Sequence, residues 1–140
     1  MKLFAGSVAA LASMQMIASG SASAIRAGAF RLLFGFTWLW VAYASLTGQD
    51  GRSLGWFSGF VSVTAALVAI DELHAAARIQ DTWLAACWAG LSVLWLGNFI
   101  VGAMRRLSWQ RPLAWLAIVQ GVLTAWLPGY LLLSGRIASP

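Results

Sequence analysis

The chain has 140 residues, of which 61% are hydrophobic and 9% are charged, and its formal net charge is +5. A soluble domain carries roughly a quarter charged residues, so this composition excludes an ordinary water-soluble domain. The basic residues are scattered singly or in pairs beside apolar runs, which excludes nucleic acid as a partner. Long apolar runs separated by short polar breaks instead predict an all-α, polytopic transmembrane helix bundle in the lipid bilayer.

The first 24 residues allow two interpretations. Lys2, a modest apolar run and the small residues Ala22, Ser23 and Ala24 are typical of a cleavable signal peptide. The same segment could be a retained, weakly hydrophobic helix over about residues 3–19. Cleavage would leave a protein of four helices, retention would give five, and composition leaves both open.

Four further runs are long enough to cross a membrane as helices, and they lie at approximately 28–48, 54–70, 82–104 and 112–134. About 20 helical residues, each rising about 1.5 Å, cross a hydrocarbon core of about 30 Å. The second run is short, but it can extend into the Asp-Glu-Leu-His segment that follows it. We therefore expect residues 1–140 to form a single integral membrane domain.

The acidic residues all fall at breaks between the runs: Asp50, Asp71, Glu72 and Asp81. A proton- or sodium-driven transporter normally needs a carboxylate inside the membrane, so this placement argues against ion-coupled transport. With the first segment retained, the nine basic residues divide five to four between the two sides. The larger share predicts a cytoplasmic N-terminus and an external C-terminus in a multi-pass protein of the cell membrane.

Two residues that often carry chemistry occur once each, Cys87 and His74. A lone cysteine excludes a disulfide framework and a multi-cysteine metal site, and we interpret Cys87 as a small buried residue. A lone histidine cannot complete a usual metal site, and a solvated loop is the better interpretation of His74. No catalytic triad, phosphate-binding loop or paired-cysteine motif is present, so we expect neither an enzyme nor a cofactor.

Helical spacing places several aromatic residues on common faces. Phe36, Trp40 and Tyr43 follow i,i+4 and i,i+3 spacing. The third of the four runs repeats this pattern with Leu84, Trp88, Leu91, Trp95 and Asn98, and the last run adds Gln120 and Thr124. Such stripes are also typical of helix packing, and the two amides could simply bond neighbouring helices.

Three blocks together resemble the AmiS/UreI family of urea and short-chain amide channels. They are LLFGFTWLWVAYASLTGQDGRSLGWFSGFVSVTA (32–65), SVLWLGNF (92–99) and AWLAIVQGVLTAWLPGYLLLSG (114–135). The aromatic cluster FGFTWLW, the loop DGRSLGWF and the late TAWLPG match the family at corresponding positions and in the same order. The resemblance covers nearly the whole chain from about Ala24 onward.

The resemblance implies six transmembrane helices per protomer, a hexameric ring, and a narrow passive pore in each protomer. The four clear runs are similar to the third to sixth family helices. Residues 3–19 are similar to the second, which favours a retained helix over a signal peptide. The first family helix has no counterpart, so we expect either a start codon assigned too late or a shortened relative.

The resemblance also implies which residues line the substrate pathway. Phe36 and Trp40 match aromatics that line the family pore. Trp88 and Trp95 match pore tryptophans of the fifth family helix. Leu91 replaces a third tryptophan that is common there.

Three polar residues complete the predicted pathway: Asn98, Gln120 and Thr124. Gln120 stands where the acid-gated members have a glutamate. Crossing hydrocarbon would leave the polar groups of urea or acetamide unpaired, at a cost of several kcal/mol. A slot walled by aromatic rings fits a planar amide, these polar side chains could accept its N–H donors, and nothing there replaces the hydration of an ion. We therefore expect a passive channel for urea or short-chain amides; the alternative is a non-transporting subunit or inactive relative whose aromatics only pack helices.

Overall fold

The computed structural model of the chain describes residues 2–77 and 79–135. All regular secondary structure within these residues is helical, which confirms the all-α prediction. Contacts divide the chain into two compact units, Met1–Leu54 and Gly55–Pro140. That residues 1–140 form a single membrane domain stays a prediction.

The first unit is a hairpin of two helices, α1 (Lys2–Ala18) and α2 (Ala22–Thr47). Ser21 caps the start of α2, where its hydroxyl accepts a hydrogen bond from the Ala24 backbone N–H at 3.3 Å. α2 ends at Gly48, whose φ of 66° is a left-handed conformation that glycine adopts at little cost. The helical α1 agrees with the retained helix that the family resemblance favours.

Small residues bring α1 and α2 close together. A Cβ added at Gly35 would lie 3.1 Å from the Ala10 backbone nitrogen, so the two backbones almost touch there. Ser13 is buried at the same interface, and its hydroxyl donates to a carbonyl one turn earlier in α1 at 2.7 Å. The hairpin therefore buries no unsatisfied hydroxyl at that point.

The second unit contains the rest of the helical chain. Its elements are most of α3 (Arg52–Ala75), α4 (Ile79–Gly102), a 3-10 turn (Leu107–Trp109), α5 (Gln110–Gly121), a π turn (Val122–Trp126) and α6 (Leu127–Leu133). α3 extends beyond the predicted 54–70 because the Asp-Glu-Leu-His segment continues the helix. The last four elements together form one apolar segment, Leu107–Leu133.

The π turn interrupts this last segment just before a proline. The Leu127 N–H donates to the Val122 carbonyl, five residues earlier rather than four. Pro128 follows at the start of α6 and has no N–H to donate to the preceding turn. Local π geometry is one way in which membrane helices accommodate a proline without breaking.

α3 and α4 pack antiparallel, with small residues of α3 against α4. This contact is here called the serine seam (Gly55, Gly59 and Ser62 of α3, with Ser92 and Phe99 of α4). The Ser62 hydroxyl donates to the Ser92 carbonyl at 2.9 Å, and the Ser92 hydroxyl donates to the Ser62 carbonyl at 2.9 Å. A Cβ added at Gly59 would lie 3.0 Å from the Phe99 ring. Such close approach with reciprocal side-chain hydrogen bonds is typical of helices packed in membranes.

The described surface is strongly apolar. Phe4, Leu46 and Trp56 are 75%, 74% and 63% exposed, respectively. Within the described residues, four helices are long and apolar enough to span a membrane: Ala22–Thr47, Arg52–Ala75, Asp81–Gly102 and Leu107–Leu133. Lys2–Ala18 is a shorter apolar helix. Large exposed hydrophobic residues on helices of this length are expected where lipid replaces water, and the chain is a multi-pass membrane protein.

Candidate functional site

α4 presents three different faces, and each has a different role. Ser92 and Phe99 lie on the face that contacts α3. Gly90 and Gly97 lie on the face that contacts α5, where a Cβ at either position would meet Gln120 or Leu113. The third face, here called the aromatic face, carries Leu84, Trp88, Leu91, Trp95 and Asn98. At about 100° per residue, it points roughly 130° away from the α5 contacts and roughly 70° away from the α3 contacts.

The aromatic face is half-buried along most of its length. Trp88, Leu91, Trp95 and Asn98 are all of intermediate exposure, and only Leu84, at its end, is exposed. The indole nitrogen of Trp95 is buried. The Asn98 side-chain N–H donates to the Leu94 carbonyl at 3.1 Å, and among the described residues no donor contacts its side-chain oxygen. The face therefore combines flat apolar walls with one available hydrogen-bond acceptor.

Gln120 connects α5 to α4 by hydrogen bonds. Its side chain is only 7% exposed. With the amide oriented to satisfy both groups, its nitrogen donates to the Gly90 carbonyl at 3.0 Å and its oxygen accepts from the Leu91 N–H at 2.8 Å. We call this pair of hydrogen bonds the amide link. It binds Gln120 to the α4 backbone, at a residue of the aromatic face.

Thr124 lies one turn beyond Gln120, at the π turn. Its hydroxyl donates to the Gln120 backbone carbonyl at 2.8 Å. Both residues line a cleft of about 240 Å³ between α4 and the last segment. The other lining residues are Trp83, Ala86, Cys87, Gly90, Leu116, Val119 and Leu123. The cleft is almost entirely apolar, and the hydroxyl and amide in its wall are already hydrogen-bonded.

Phe36 and Trp40 belong to α2, in the first unit. Their rings contact each other edge-on, with centroids 5.5 Å apart and planes at 84°. Tyr43 continues the same stripe and is exposed. Aromatic pairs prefer this T-shaped arrangement, so the two rings support each other's orientation.

The structure thus groups the predicted pathway residues into three sets. Trp88, Leu91, Trp95 and Asn98 share the aromatic face of α4. Gln120 contacts Leu91 through the amide link, and Thr124 bonds the Gln120 backbone. Phe36 and Trp40 form a separate pair in the first unit. That all eight line one substrate pathway stays a prediction.

Sequence reasoning missed the specific partner of Gln120. Gly90 accepts from the amide, and its missing side chain leaves the space that the amide fills. Glycine spacing along α4 indicated close helix contact, but it did not indicate which neighbouring side chain would use the space. The reciprocal bonding of Ser62 and Ser92 was likewise not predicted.

His74 lies at the C-terminal end of α3 and is exposed, so it belongs to a helix end rather than to a loop. Among the described residues, no group of three or more His, Cys, Asp or Glu side chains could hold a metal ion. The aromatic face and the amide link are therefore the two features considered as a candidate site.

A family model described as "AmiS/UreI family transporter" matches residues 1–136. The chain is 35% identical over 117 residues to a Mycolicibacterium smegmatis protein named as a transporter of amidate substrates, covering 84% of this chain and 54% of that protein. It is 36% identical over 109 residues to an acid-activated urea channel of Helicobacter pylori, covering 72% of this chain and 55% of the channel. The matched part therefore spans about half the length of these relatives.

Two solved structures are similar to this chain over a larger share of their own length. The crystal structure of the urea channel from Helicobacter pylori matches with a TM-score of 0.82 at 30% identity, covering 99% of this chain and 83% of the channel chain. A cryo-electron microscopy structure of the Helicobacter pylori urea channel in a closed state matches with a TM-score of 0.83 at 30% identity and the same coverage.

Proposed function

Because the chain belongs to the AmiS/UreI family of transporters, we propose that it forms a passive channel for urea or short-chain amides across the cytoplasmic membrane. The names of its relatives support both substrates, since one is a urea channel and another is named for amidate transport. We propose no enzymatic activity and no cofactor.

The observation that carries the proposal is the aromatic face of α4. Trp88, Leu91 and Trp95 stand on one face, turned away from the positions that contact α5. Trp88 and Trp95 are seven residues apart, which separates them by about 10.5 Å along the helix. Two flat rings at that spacing provide two successive narrow points for a planar neutral solute.

Asn98 is the polar residue best placed to contact such a solute. Its side-chain oxygen can accept an N–H from urea or an amide, which compensates part of the hydration that the solute loses. A single neutral acceptor cannot replace the hydration shell of an ion, so this face favours neutral solutes. Phe36 and Trp40 are proposed as pathway residues on the family resemblance alone, and Gln120 and Thr124 as residues behind the pathway wall.

We also propose a homo-hexameric ring with the N-terminus in the cytoplasm and the C-terminus outside. The ring rests on the family resemblance, and the orientation rests on the distribution of basic residues. Native mass spectrometry in detergent measures the first. A cytoplasm-specific reporter fused after Pro140 measures the second and should be silent.

Osmotic swelling of proteoliposomes driven by urea or acetamide tests the channel. The informative variant is Trp88→Ala, and the control is Trp115→Ala, because Trp115 is 63% exposed on α5. If Trp88 lines the pathway, its truncation should weaken discrimination between acetamide and bulkier amides, and the control should not.

A purely structural Trp88 would give a different result. Truncating a buried aromatic costs about 3–5 kcal/mol, so the amount of folded protein would fall while relative selectivity stayed the same. A parent protein that carries neither urea nor acetamide would support the non-transporting alternative.

A further inference from the structure

The amide link requires a group that donates and accepts at the same time. The Gly90 carbonyl can only accept a hydrogen bond, and the Leu91 N–H can only donate one. A glutamine amide meets both needs with its nitrogen at 3.0 Å and its oxygen at 2.8 Å. An ionised carboxylate of the same length could accept from Leu91, but it would face the Gly90 carbonyl with no proton to share.

The link is also closely fitted. A Cβ added at Gly90 would lie 3.3 Å from the Gln120 side-chain oxygen in this orientation and 3.4 Å from its amide carbon. Gln120 is 7% exposed, and Thr124 holds its backbone carbonyl through a 2.8 Å hydrogen bond. The amide therefore lies so close to the α4 backbone that a side chain at position 90 would require it to shift by a few tenths of an ångström.

The position of the link matters because Leu91 belongs to the aromatic face. Trp88 and Trp95 lie three residues before and four residues after Leu91. Holding the backbone at Gly90 and Leu91 fixes the rotation of α4 about its axis at the middle of that face. The side chains of the aromatic face then keep their direction because the α4 backbone is held, and they need no contact with the Gln120 side chain.

From this geometry we propose that Gln120 is a positioning residue, which holds the aromatic face of α4 in register through a hydrogen-bond pair that does not titrate. The proposal rests on the proposed channel function only for its effect on selectivity. Replacing the amide by a carboxyl group should make the link depend on pH, since only the protonated acid can both donate and accept.

Few other groups near the link can change charge. Cys87 is the one titratable residue among those lining the cleft around Gln120, and it lies on α4 three residues before Gly90. It is also the only cysteine of the sequence. Its thiol therefore reports on opening of the cleft without any engineered label site.

The test compares Gln120→Glu with Gln110→Glu, an exposed glutamine of the same helix. In detergent, the rate at which a membrane-permeable maleimide modifies Cys87 is divided by the parent rate at the same pH. An ionised carboxylate in the same cleft would disfavour the reactive thiolate, so it would oppose the expected rise in rate. For Gln120→Glu this ratio should be near one at about pH 5.5 and rise about three- to tenfold at about pH 8, as expected for losing a hydrogen bond. For Gln110→Glu the labelling ratio should stay near one at both pH values.

A second variant covers the possibility that Gln120→Glu does not fold. Gln120→Met keeps the length and loses both hydrogen bonds, so its labelling ratio should be raised equally at both pH values. A ratio near one throughout for both Gln120 variants would overturn the proposal.

Proteoliposome swelling then tests the positioning role separately. In Gln120→Glu, the acetamide-to-butyramide permeability ratio should match the parent at about pH 5.5 and fall at about pH 8. If labelling changes with pH while this ratio does not, the link exists but does not position the pathway, which overturns the positioning role. If the parent carries no amide, the channel proposal fails, and the labelling ratios still decide whether the link exists.

Discussion

α4 packs against α3 on one side and against α5 on the other, and the hydrogen bonds at the two contacts are of different kinds. On the α3 side, the serine seam uses short side chains, and each serine donates to the carbonyl opposite it. On the α5 side, one long amide reaches across and makes both hydrogen bonds alone. Removing one serine leaves the other bond of the seam in place, whereas removing Gln120 removes the whole amide link.

The difference also appears in what a glycine faces on each side. A Cβ at Gly55 would lie 2.6 Å from the Gly102 carbonyl carbon, which is backbone. A Cβ at Gly90 would lie 3.3 Å from the side-chain oxygen of Gln120. Backbone cannot move without moving a helix, while a side chain can shift slightly, so the α3 contact is the rigid one. The two contacts therefore hold α4 with unequal stiffness, and the aromatic face lies between them.

The largest effect is expected from Gly55→Ala. The new methyl would overlap the backbone at Gly102 and Ala103, so α3 and α4 must separate. Overpacking of this kind costs about 1–3 kcal/mol. Thermal unfolding in detergent, followed by the loss of monodisperse protein, should show a clear decrease in Tm. Gly51→Ala is the control because no heavy atom lies within 4 Å of its added Cβ, and equal Tm values for the two variants would contradict a rigid seam.

A smaller effect is expected from breaking the serine pair. Ser62→Ala and Ser92→Ala should each lower the free energy of unfolding by about 0.6–1.7 kcal/mol, typical of a hydrogen bond between membrane helices. The two losses should add, because each hydroxyl bonds a backbone carbonyl that alanine keeps. Reversible unfolding in mixed micelles measures both losses. Ser45→Ala is a suitable control, since Ser45 is exposed and bonds only within its own helix and to Lys2. Unchanged stability in both single variants would mean that the two hydroxyls do not hold the seam.

The smallest effect on stability is expected from Gly90→Ala. The Gln120 amide can yield a few tenths of an ångström, and alanine is about 1 kcal/mol more favourable than glycine within a helix. The cost of displacing the amide and the gain in helix propensity nearly cancel, so Tm should barely change. Cys87 labelling should increase because the amide is displaced. Gly121→Ala gains the same helix propensity with no heavy atom within 4 Å of the new Cβ, so it should raise Tm and leave labelling unchanged. A decrease in Tm for Gly90→Ala as large as that for Gly55→Ala would remove the distinction between the two sides.

Much of the fold could be predicted from the sequence because the membrane imposes a simple rule. Apolar runs of sufficient length must become helices when no water can satisfy their backbones. The end of α3 was less certain, since the Asp-Glu-Leu-His segment could continue the helix or leave it, and it continues to Ala75.

The site was only partly predictable. Spacing correctly groups Trp88, Trp95 and Asn98, because residues three and four apart share a helical face. Spacing cannot tell what the opposite helix offers, so Gln120 was predicted as a pathway residue without any indication that its amide bonds the Gly90 carbonyl. The π turn could not be predicted from residue spacing either, because spacing arguments assume a constant number of residues per helical turn.

The π turn at Val122–Trp126 changes how this last segment can vary over evolution. It contributes one residue more than an ordinary helical turn, so positions after it are rotated by about 100° relative to an uninterrupted helix. A homologous chain with one residue fewer in this segment could keep the same length of apolar helix and lose only the bulge. In such a chain the counterpart of Tyr130 would keep its direction, because losing one residue and losing the bulge offset each other. A single-residue gap at this point would therefore record the loss of the bulge, with the helix phase and the membrane span both preserved.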